Sequence, residues 1–233
     1  MGSISIVIPA FNEEANILKS FRVAQKVVSQ VYKNYEIIII DDCSVDNTFK
    51  ILKKIKINNH HCKIFRNKKN YGLGKSLLKG YNLATKKYVI YFTGDDQIIQ
   101  SSFKSMILLG KKNLNTCIVS YHSNMKLSRP YEKYLISKIY NFIVTRVFFI
   151  KLNYTTGPAL YKTSELKKIR CFSVDRFVPT EILIKYIKKN KKFINFDLKI
   201  KKRKHGSSQI VTFKALKDVS INFVKLFYFY FFK

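Results

Sequence analysis

A chain of 233 residues is long enough for one large, well-filled domain and argues against two, and with 47% apolar and 25% charged residues no long stretch has the make-up of a disordered segment. The 44 Lys and Arg against 14 Asp and Glu leave a formal charge of +30, so an anionic partner is expected: nucleic acid, lipid head groups and phosphorylated substrates all gain from such a surface. The excess is mostly Lys beside abundant Asn, Ile, Phe and Tyr, which an AT-rich genome also produces without any binding role.

From the N-terminus, β-branched runs alternate with amphipathic stretches. Strands are predicted at residues 4–8, 36–40, 63–65 and 88–92, and helices at about 13–31, 47–57 and 73–84. This βαβ series predicts an α/β fold with a mostly parallel, doubly wound sheet covered by helices on both faces. Ile37-Ile38-Ile39-Ile40, apolar at successive positions, suits a central strand buried on both sides. Further on, helices are predicted at about 131–149 and 180–189, with a turn at Thr155-Thr156-Gly157-Pro158 between them. A basic strand is predicted from 193 to about 202, ending in Arg203-Lys204-His205-Gly206-Ser207-Ser208. The last segment, 213–233, has apolar positions at helical spacing and closes in Phe227-Tyr228-Phe229-Tyr230-Phe231-Phe232.

Cys43, Cys62, Cys117 and Cys171 form neither a CxxC pair nor a zinc-type spacing and are expected to be reduced thiols in a cytosolic compartment. The start, Met1-Gly2-Ser3-Ile4, leads straight into a strand without the basic and apolar regions of a signal peptide. No RNP, KH, zinc-finger or helix-turn-helix pattern is present, so no nucleic-acid partner is expected.

In doubly wound sheets the ligand crevice lies beyond the carboxyl ends of the strands. Those positions are polar here: Pro9-Ala10-Phe11-Asn12-Glu13-Glu14 after the first strand, Asp41-Asp42-Cys43-Ser44 after the second, and Thr93-Gly94-Asp95-Asp96-Gln97 after the fourth. Acids at the end of a buried strand are costly unless a cation pairs with them. Mg²⁺ or Mn²⁺, held by one or two carboxylates together with substrate phosphates, answers that need at Asp95 and Asp96, with Gln97 adding an oxygen; capping of the next helix is the alternative. The pattern Asp-Asp-x-Ser-x-Asp-x-Thr, met by Asp41, Asp42, Ser44, Asp46 and Thr48, reads either as a helix-start turn or as carboxylates accepting base N–H or ribose hydroxyls. Gly72 and Gly74 read as turn formers, and Lys75 beside them as a phosphate contact or an ordinary surface Lys.

Residues 7–17, the 41–48 pattern, Asn70-Tyr71-Gly72-Leu73-Gly74-Lys75, Gly94-Asp95-Asp96-Gln97 and Arg203-x-x-Gly206-x-Ser208 occur in one order over residues 4–208. In this the chain resembles the family 2 glycosyltransferases of the GT-A type, most closely the dolichyl- or polyprenyl-phosphate mannose and glucose synthases. Each motif is weak alone; five in family order are specific. The resemblance implies a GT-A domain at 1–212, with a nucleotide-binding half at 1–98 and an acceptor half at 99–212. It places Pro9, Ala10, Phe11 and Glu13, Asp41 and Asp42, Lys75, and Gly94 with Asp96 at the nucleotide-sugar, and Asp95, Asp96 and Gln97 at the metal. Asp95, Arg203 and Glu181 become the catalytic residues, and Arg129, Arg203 and His205 the contacts to an acceptor phosphate or the donor diphosphate. One departure stands out: the family shows Asp-x-Asp at the fourth strand end, where this chain has Thr93-Gly94-Asp95, and Asp96 is the residue placed to compensate.

The expected activity is inverting transfer of a hexose from a nucleotide-diphosphate sugar to a polyprenyl phosphate. The alternatives are transfer to a sugar hydroxyl of an envelope polysaccharide or glycolipid, with Glu181 or Asp175 as base, or a non-catalytic relative that binds the nucleotide-sugar. The aromatic, basic segment 213–233 is too short to span a bilayer that needs ~20 apolar residues. It is expected to lie as a monotopic helix on an anionic membrane, on the cytoplasmic side. The rival cover for it is the domain itself or a second copy of the chain, as a homodimer.

Overall fold

The computed structural model describes residues 2–57, 59–189, 191–205 and 213–232. The chain opens with β1 (Ser3–Ala10), α1 (Ile17–Val31), β2 (Asn34–Asp41), α2 (Thr48–Ile57), β3 (Cys62–Arg66), α3 (Leu73–Leu83) and β4 (Tyr88–Tyr91). It continues through α4 (Gln100–Lys112), β5 (Cys117–Tyr121), α5 (Met125–Ser128), α6 (Tyr131–Val147), β6 (Ala159–Lys162), α7 (Thr163–Leu166), α8 (Val178–Lys188), β7 (Phe193–Asp197) and α9 (Phe213–Phe231). The seven strands form one sheet in the order β3-β2-β1-β4-β6-β5-β7. All its pairings are parallel except those of β6, which runs antiparallel to both β4 and β5.

Strand residues alternate between two apolar layers, because successive side chains leave a strand on opposite faces. Ile6, Ile8, Ile37 and Ile39 pack with Phe21, Ala24 and Val28 of α1 and Phe103 and Met106 of α4. Val7, Ile38 and Ile40 pack with Leu77 and Tyr81 of α3 and with Ile182 and Leu183 of α8 on the other side. Ile37 to Ile40 are all fully buried, as a central strand with helices on both faces requires.

Several predicted bounds move. Helix α1 begins at Ile17 rather than near residue 13, because the carbonyl of Glu13 is taken up in a turn by the N–H groups of Asn16 and Ile17. The strand predicted to reach about residue 202 ends at Asp197; beyond it the chain peels off β5 and crosses to the end of β4, where Ile200 bridges Ile98. Helix α4 and strands β5 and β6 were not visible as periodic patterns. The two strands are short, of five and four residues, and alternation over so few positions carries little signal.

Helix α9 has two unlike faces. Leu226 is fully buried, and Phe223 and Tyr230 set their rings against Phe148 at 5.6 and 6.0 Å between centroids. On the other face Val224, Tyr228 and Phe232 are exposed. Helix α6 likewise exposes Leu135, Ile139, Phe142 and Ile143. Among the described residues no helix is long and apolar enough to cross a membrane.

Candidate active site

The loops after β1 and β2 are stitched to each other. The backbone N–H groups of Asn12, Glu13 and Glu14 donate to Ser44 Oγ (3.0 Å), Thr48 Oγ1 (2.8 Å) and Asp46 Oδ2 (3.1 Å). In return Asn12 Oδ1 accepts the N–H of Val45 and Glu14 Oε2 that of Asn47, while Asp46 Oδ1 takes the N–H of Thr48. The spacing Ser44-x-Asp46-x-Thr48 therefore supplies acceptors that hold a neighbouring loop whose own N–H groups have left the sheet. Asn12, at φ 53°, adopts the left-handed conformation that Asn tolerates in such a turn.

Beyond these strand ends lies a cavity of about 820 Å³ lined on one side by Pro9, Ala10, Phe11, Glu13 and Asp42, with Thr93, Gly94, Asp95 and Gln97 beside them. Asp42 shapes its floor. Its Oδ1 accepts Asn67 Nδ2 (2.7 Å) and the N–H of Tyr71, and its Oδ2 accepts the N–H of Gly72 (2.7 Å), which sits at φ 85° where a side chain would be strained. The other side is lined by Arg129, Arg176, Tyr140 and Tyr154 and by apolar residues of α6 (Ile136, Ile139, Ile143) and α9 (Val219). Arg129 Nη1 donates to Tyr154 Oη at 3.4 Å.

Arg203 reaches into the acidic side. Its Nη2 donates to Glu13 Oε1 at 2.7 Å, its Nη1 lies 3.7 Å from Asp95 Oδ2, and its Nε donates to the carbonyl of His205. Burial, the strongest influence, and the Asp95 charge lift the Glu13 carboxyl above its ordinary value, against the hydrogen bond from Asn16 and the charge of Arg203. A guanidinium between two carboxylates offsets the cost of holding both acids at a partly desolvated strand end.

The residues fit a divalent cation shared with a diphosphate. Among the described residues no three His, Cys, Asp or Glu cluster to hold a metal unaided. Asp95 nonetheless faces the cavity with Gln97, and Thr93 Oγ1 beside them is buried without a hydrogen-bond partner. One carboxylate with neutral oxygens suits Mg²⁺ or Mn²⁺, which takes its remaining ligands from phosphate and water.

Other expected site residues lie elsewhere. Asp96, at φ 56°, turns its carboxylate to Lys201 Nζ (2.8 Å) and is not among the cavity residues, so it does not stand in for the acid missing at Thr93. Asp41 is fully buried beneath the cavity, 3.1 Å from Arg66 Nε. Lys75 is exposed over the Tyr71 ring at 4.8 Å and does not line the cavity. Its neighbour Gly74 lies inside α3 rather than in a turn. His205 is exposed and contributes its backbone carbonyl, to Arg203 and Asn16.

Glu181, expected among the catalytic residues, does not line the cavity. It is fully buried, accepts the N–H groups of Phe172 (3.0 Å) and Ser173 (2.9 Å) and the Ser173 hydroxyl, and pairs with Lys185 Nζ at 2.5 Å. No lone pair is left facing a substrate. Asp175, the other acid considered as a base, accepts the N–H of Phe177 and Asn222 Nδ2. Gly206 and Ser208 of the late motif lie outside the described residues. Thr93, met in the sequence only as the place of a missing acid, lines the cavity, and so does Arg176, which carries no periodic or motif signal.

A mostly parallel α/β sheet whose strand ends open on an acid-lined cavity is the architecture of a GT-A sugar transferase. The family model described as glycosyl transferase family 2 matches residues 5–170, and the chain belongs to that family: it is a glycosyltransferase. An uncharacterized protein of Methanocaldococcus jannaschii is 27% identical over 227 residues, covering 91% of this chain and 93% of that one. The UDP-Glc:alpha-D-GlcNAc-diphosphoundecaprenol beta-1,3-glucosyltransferase of Escherichia coli is 29% identical over 154 residues, 64% of this chain but about half, 51%, of the relative's length. Among solved structures, glucosyl-3-phosphoglycerate synthase from Mycobacterium tuberculosis in complex with Mn²⁺, UDP-glucose and phosphoglyceric acid shares the fold at a TM-score of 0.70 and 16% identity, over 97% of this chain and 80% of that one.

Proposed function

We propose that the chain transfers a hexose, with inversion, from a nucleotide-diphosphate sugar to a polyprenyl phosphate at the cytoplasmic face of a membrane. One observation carries this reading: the same cavity is lined by carboxylates from the loops after β1, β2 and β4 and, from other elements, by Arg129, Arg176 and aliphatic side chains of α6 and α9 that bring no carboxylate among the described residues. The acidic lining suits the nucleoside and a cation-bound diphosphate; the other suits an anionic head group on an apolar chain.

In the proposed reaction an acceptor phosphate oxygen attacks the anomeric carbon, a new C–O bond forms there, and the bond to the nucleoside diphosphate breaks. A phosphomonoester has a second pKa of about 6, so its oxygen is already anionic at neutral pH and no base is required. That agrees with the occupied states of Glu181 and Asp175. Asp95, Gln97 and Thr93 would hold Mg²⁺ or Mn²⁺, which when bound neutralises charge on the leaving diphosphate. Arg203 adds a positive charge at the same place, and Arg129 orients the incoming anion. Support for the metal and the donor comes from the M. tuberculosis synthase, whose fold is shared and which was captured with Mn²⁺ and UDP-glucose. The exposed aromatic face of α9 and the exposed aliphatic face of α6 support seating on an anionic membrane, in keeping with the +30 charge.

The E. coli relative, named for a sugar acceptor carried on diphosphoundecaprenol, favours a second reading in which a lipid-linked sugar hydroxyl is the acceptor. Product analysis separates the two. The full chain is incubated with labelled UDP- or GDP-hexose, Mn²⁺ and a short-chain polyprenyl phosphate. The expected product is a lipid-linked sugar released by mild acid; an acid-stable glycoside formed only from lipid-linked glycan would establish the second reading instead.

A further inference from the structure

Arg176 lines the cavity just before α8, half-buried between Asp175 and Phe177. Among the described residues it has no ion pair and no hydrogen-bond partner. The carboxylate beside it in sequence, Asp175, is taken by the Phe177 N–H and by Asn222 of α9. Glu181, one turn into α8, is taken by Ser173 and Lys185. Burial pulls the Arg176 guanidinium below arginine's ordinary value, with no anion to counter it. A half-buried guanidinium is partly desolvated, and no contact among the described residues offsets that cost.

The position of Arg176 is also firmly set. A Cβ on Gly74 would collide with the backbone carbonyls of Val174 and Asp175, so the segment carrying Arg176 lies directly on the first turn of α3. Asn222 ties the same segment to α9. Pro179, Ile143 and Val219, which share the cavity with Arg176, are apolar, and the carboxylates of the cavity belong to the loops after β1, β2 and β4.

We infer that Arg176 is a binding residue for the acceptor, receiving together with Arg129 a phosphate carried on an apolar chain. This rests on the lipid-phosphate reading above and adds to it the residue that recognises the head group. Arg129 already leans on Tyr154, whereas no group among the described residues pairs with the five donors of Arg176, so the ligand gains its charge-assisted hydrogen bonds without displacing any of those contacts.

The test uses the full chain, farnesyl phosphate, farnesol, inorganic phosphate and a UDP- or GDP-hexose with Mn²⁺, with binding measured by calorimetry for the wild type, R176Q and R176K. The wild type should bind farnesyl phosphate well above farnesol or inorganic phosphate alone. R176Q should weaken farnesyl phosphate by about tenfold or more and leave the nucleotide-sugar unchanged, and R176K should fall between. R176Q should also melt at the same temperature as the wild type or higher, since a partly desolvated cation without a partner among the described residues has been removed. A lower melting temperature for both variants would mean that Arg176 serves the fold, and equal farnesyl phosphate affinity in R176Q that it serves nothing at the acceptor; either overturns the inference while leaving the lipid-phosphate reading intact. A loss of nucleotide-sugar affinity in R176Q would assign the residue to the donor and overturn it too. If the wild type binds the nucleotide-sugar but no farnesyl phosphate, the lipid-phosphate reading itself fails and takes the inference with it.

Discussion

The two walls of the cavity are built differently. On the acidic side most polar groups, Thr93 Oγ1 excepted, have a protein partner: loops 11–14 and 44–48 hold each other, Asp42 holds the Tyr71–Gly72 turn, and Arg203 sits between Glu13 and Asp95. On the other side Arg176 has no partner among the described residues, and the cavity-lining Ile139 and Ile143 of α6 are exposed, as are Phe142, Val224 and Tyr228 on α6 and α9 outside the cavity. A wall that is satisfied within the chain can be rigid before its ligand arrives; one that leaves a cation and apolar surface unmatched is complementary to something outside the chain.

The largest effect is expected from Glu181, which separates a structural carboxylate from a catalytic one. Replacing it with Ala leaves Lys185 charged and nearly buried, which should cost about 3–5 kcal/mol of stability. The melting temperature would fall steeply while the turnover of the molecules that remain folded stays near wild type; normal stability with lost turnover would restore Glu181 to the chemistry.

Acid should weaken the second half of the chain before the first. Burial, opposed only in part by the hydrogen bond to Leu198, holds His122 at the end of β5 down at about 4, against 6.5 when unfolded. Between those values the unfolded chain binds more protons, so stability contributed by neutral His122 is lost as the pH drops from about 6.5 toward 4. Glu36 in β2 behaves as an ordinary buried carboxylate ion pair. Burial alone would raise it, but Lys63, Thr85 and Ser5 together bring it to about 2, so its contribution is present above about 4.5 and lost as the pH falls from there toward 2. Hydrogen exchange followed across this range should show β5 losing protection first; simultaneous loss in β2 and β5 would break the comparison.

Asp95→Ala tests the acidic wall. Activity should drop on the order of 100-fold, and the thermal stabilisation by nucleotide-sugar with Mn²⁺ should vanish. Persistence of a metal-dependent shift would move the cation away from Asp95. The smallest effect on the fold is expected on the exposed face of α9. Tyr228→Ser with Phe232→Ser should change stability by about 0.5 kcal/mol or less, yet reduce co-sedimentation with anionic vesicles severalfold. Unchanged vesicle binding would leave that face without its proposed lipid partner.

Local pattern determined a good deal. The run Ile37 to Ile40 specifies a strand buried on both faces, because period-two alternation is absent and nothing longer than a strand is apolar there. The polar residues after β1, β2 and β4 mark where the cavity lies, because strand ends in a doubly wound sheet converge at one edge. The amphipathic character of α9 was equally readable from spacing.

What the one-dimensional order could not decide was which of several similar side chains does which work. Asp95 and Asp96 are neighbours in sequence, and only the backbone at Asp96, at φ 56°, sends its carboxylate to Lys201 instead of the cavity. Glu181 is indistinguishable from a catalytic acid until Ser173 and Lys185 close on it. Arg176 looks like any other charge in a chain with 44 Lys and Arg until the fold surrounds it with groups already paired elsewhere. Secondary structure follows from short-range periodicity, whereas the role of an ionisable group depends on its neighbours in space, whether those lie a turn or two away, as for Glu181, or across the chain, as Lys201 does for Asp96.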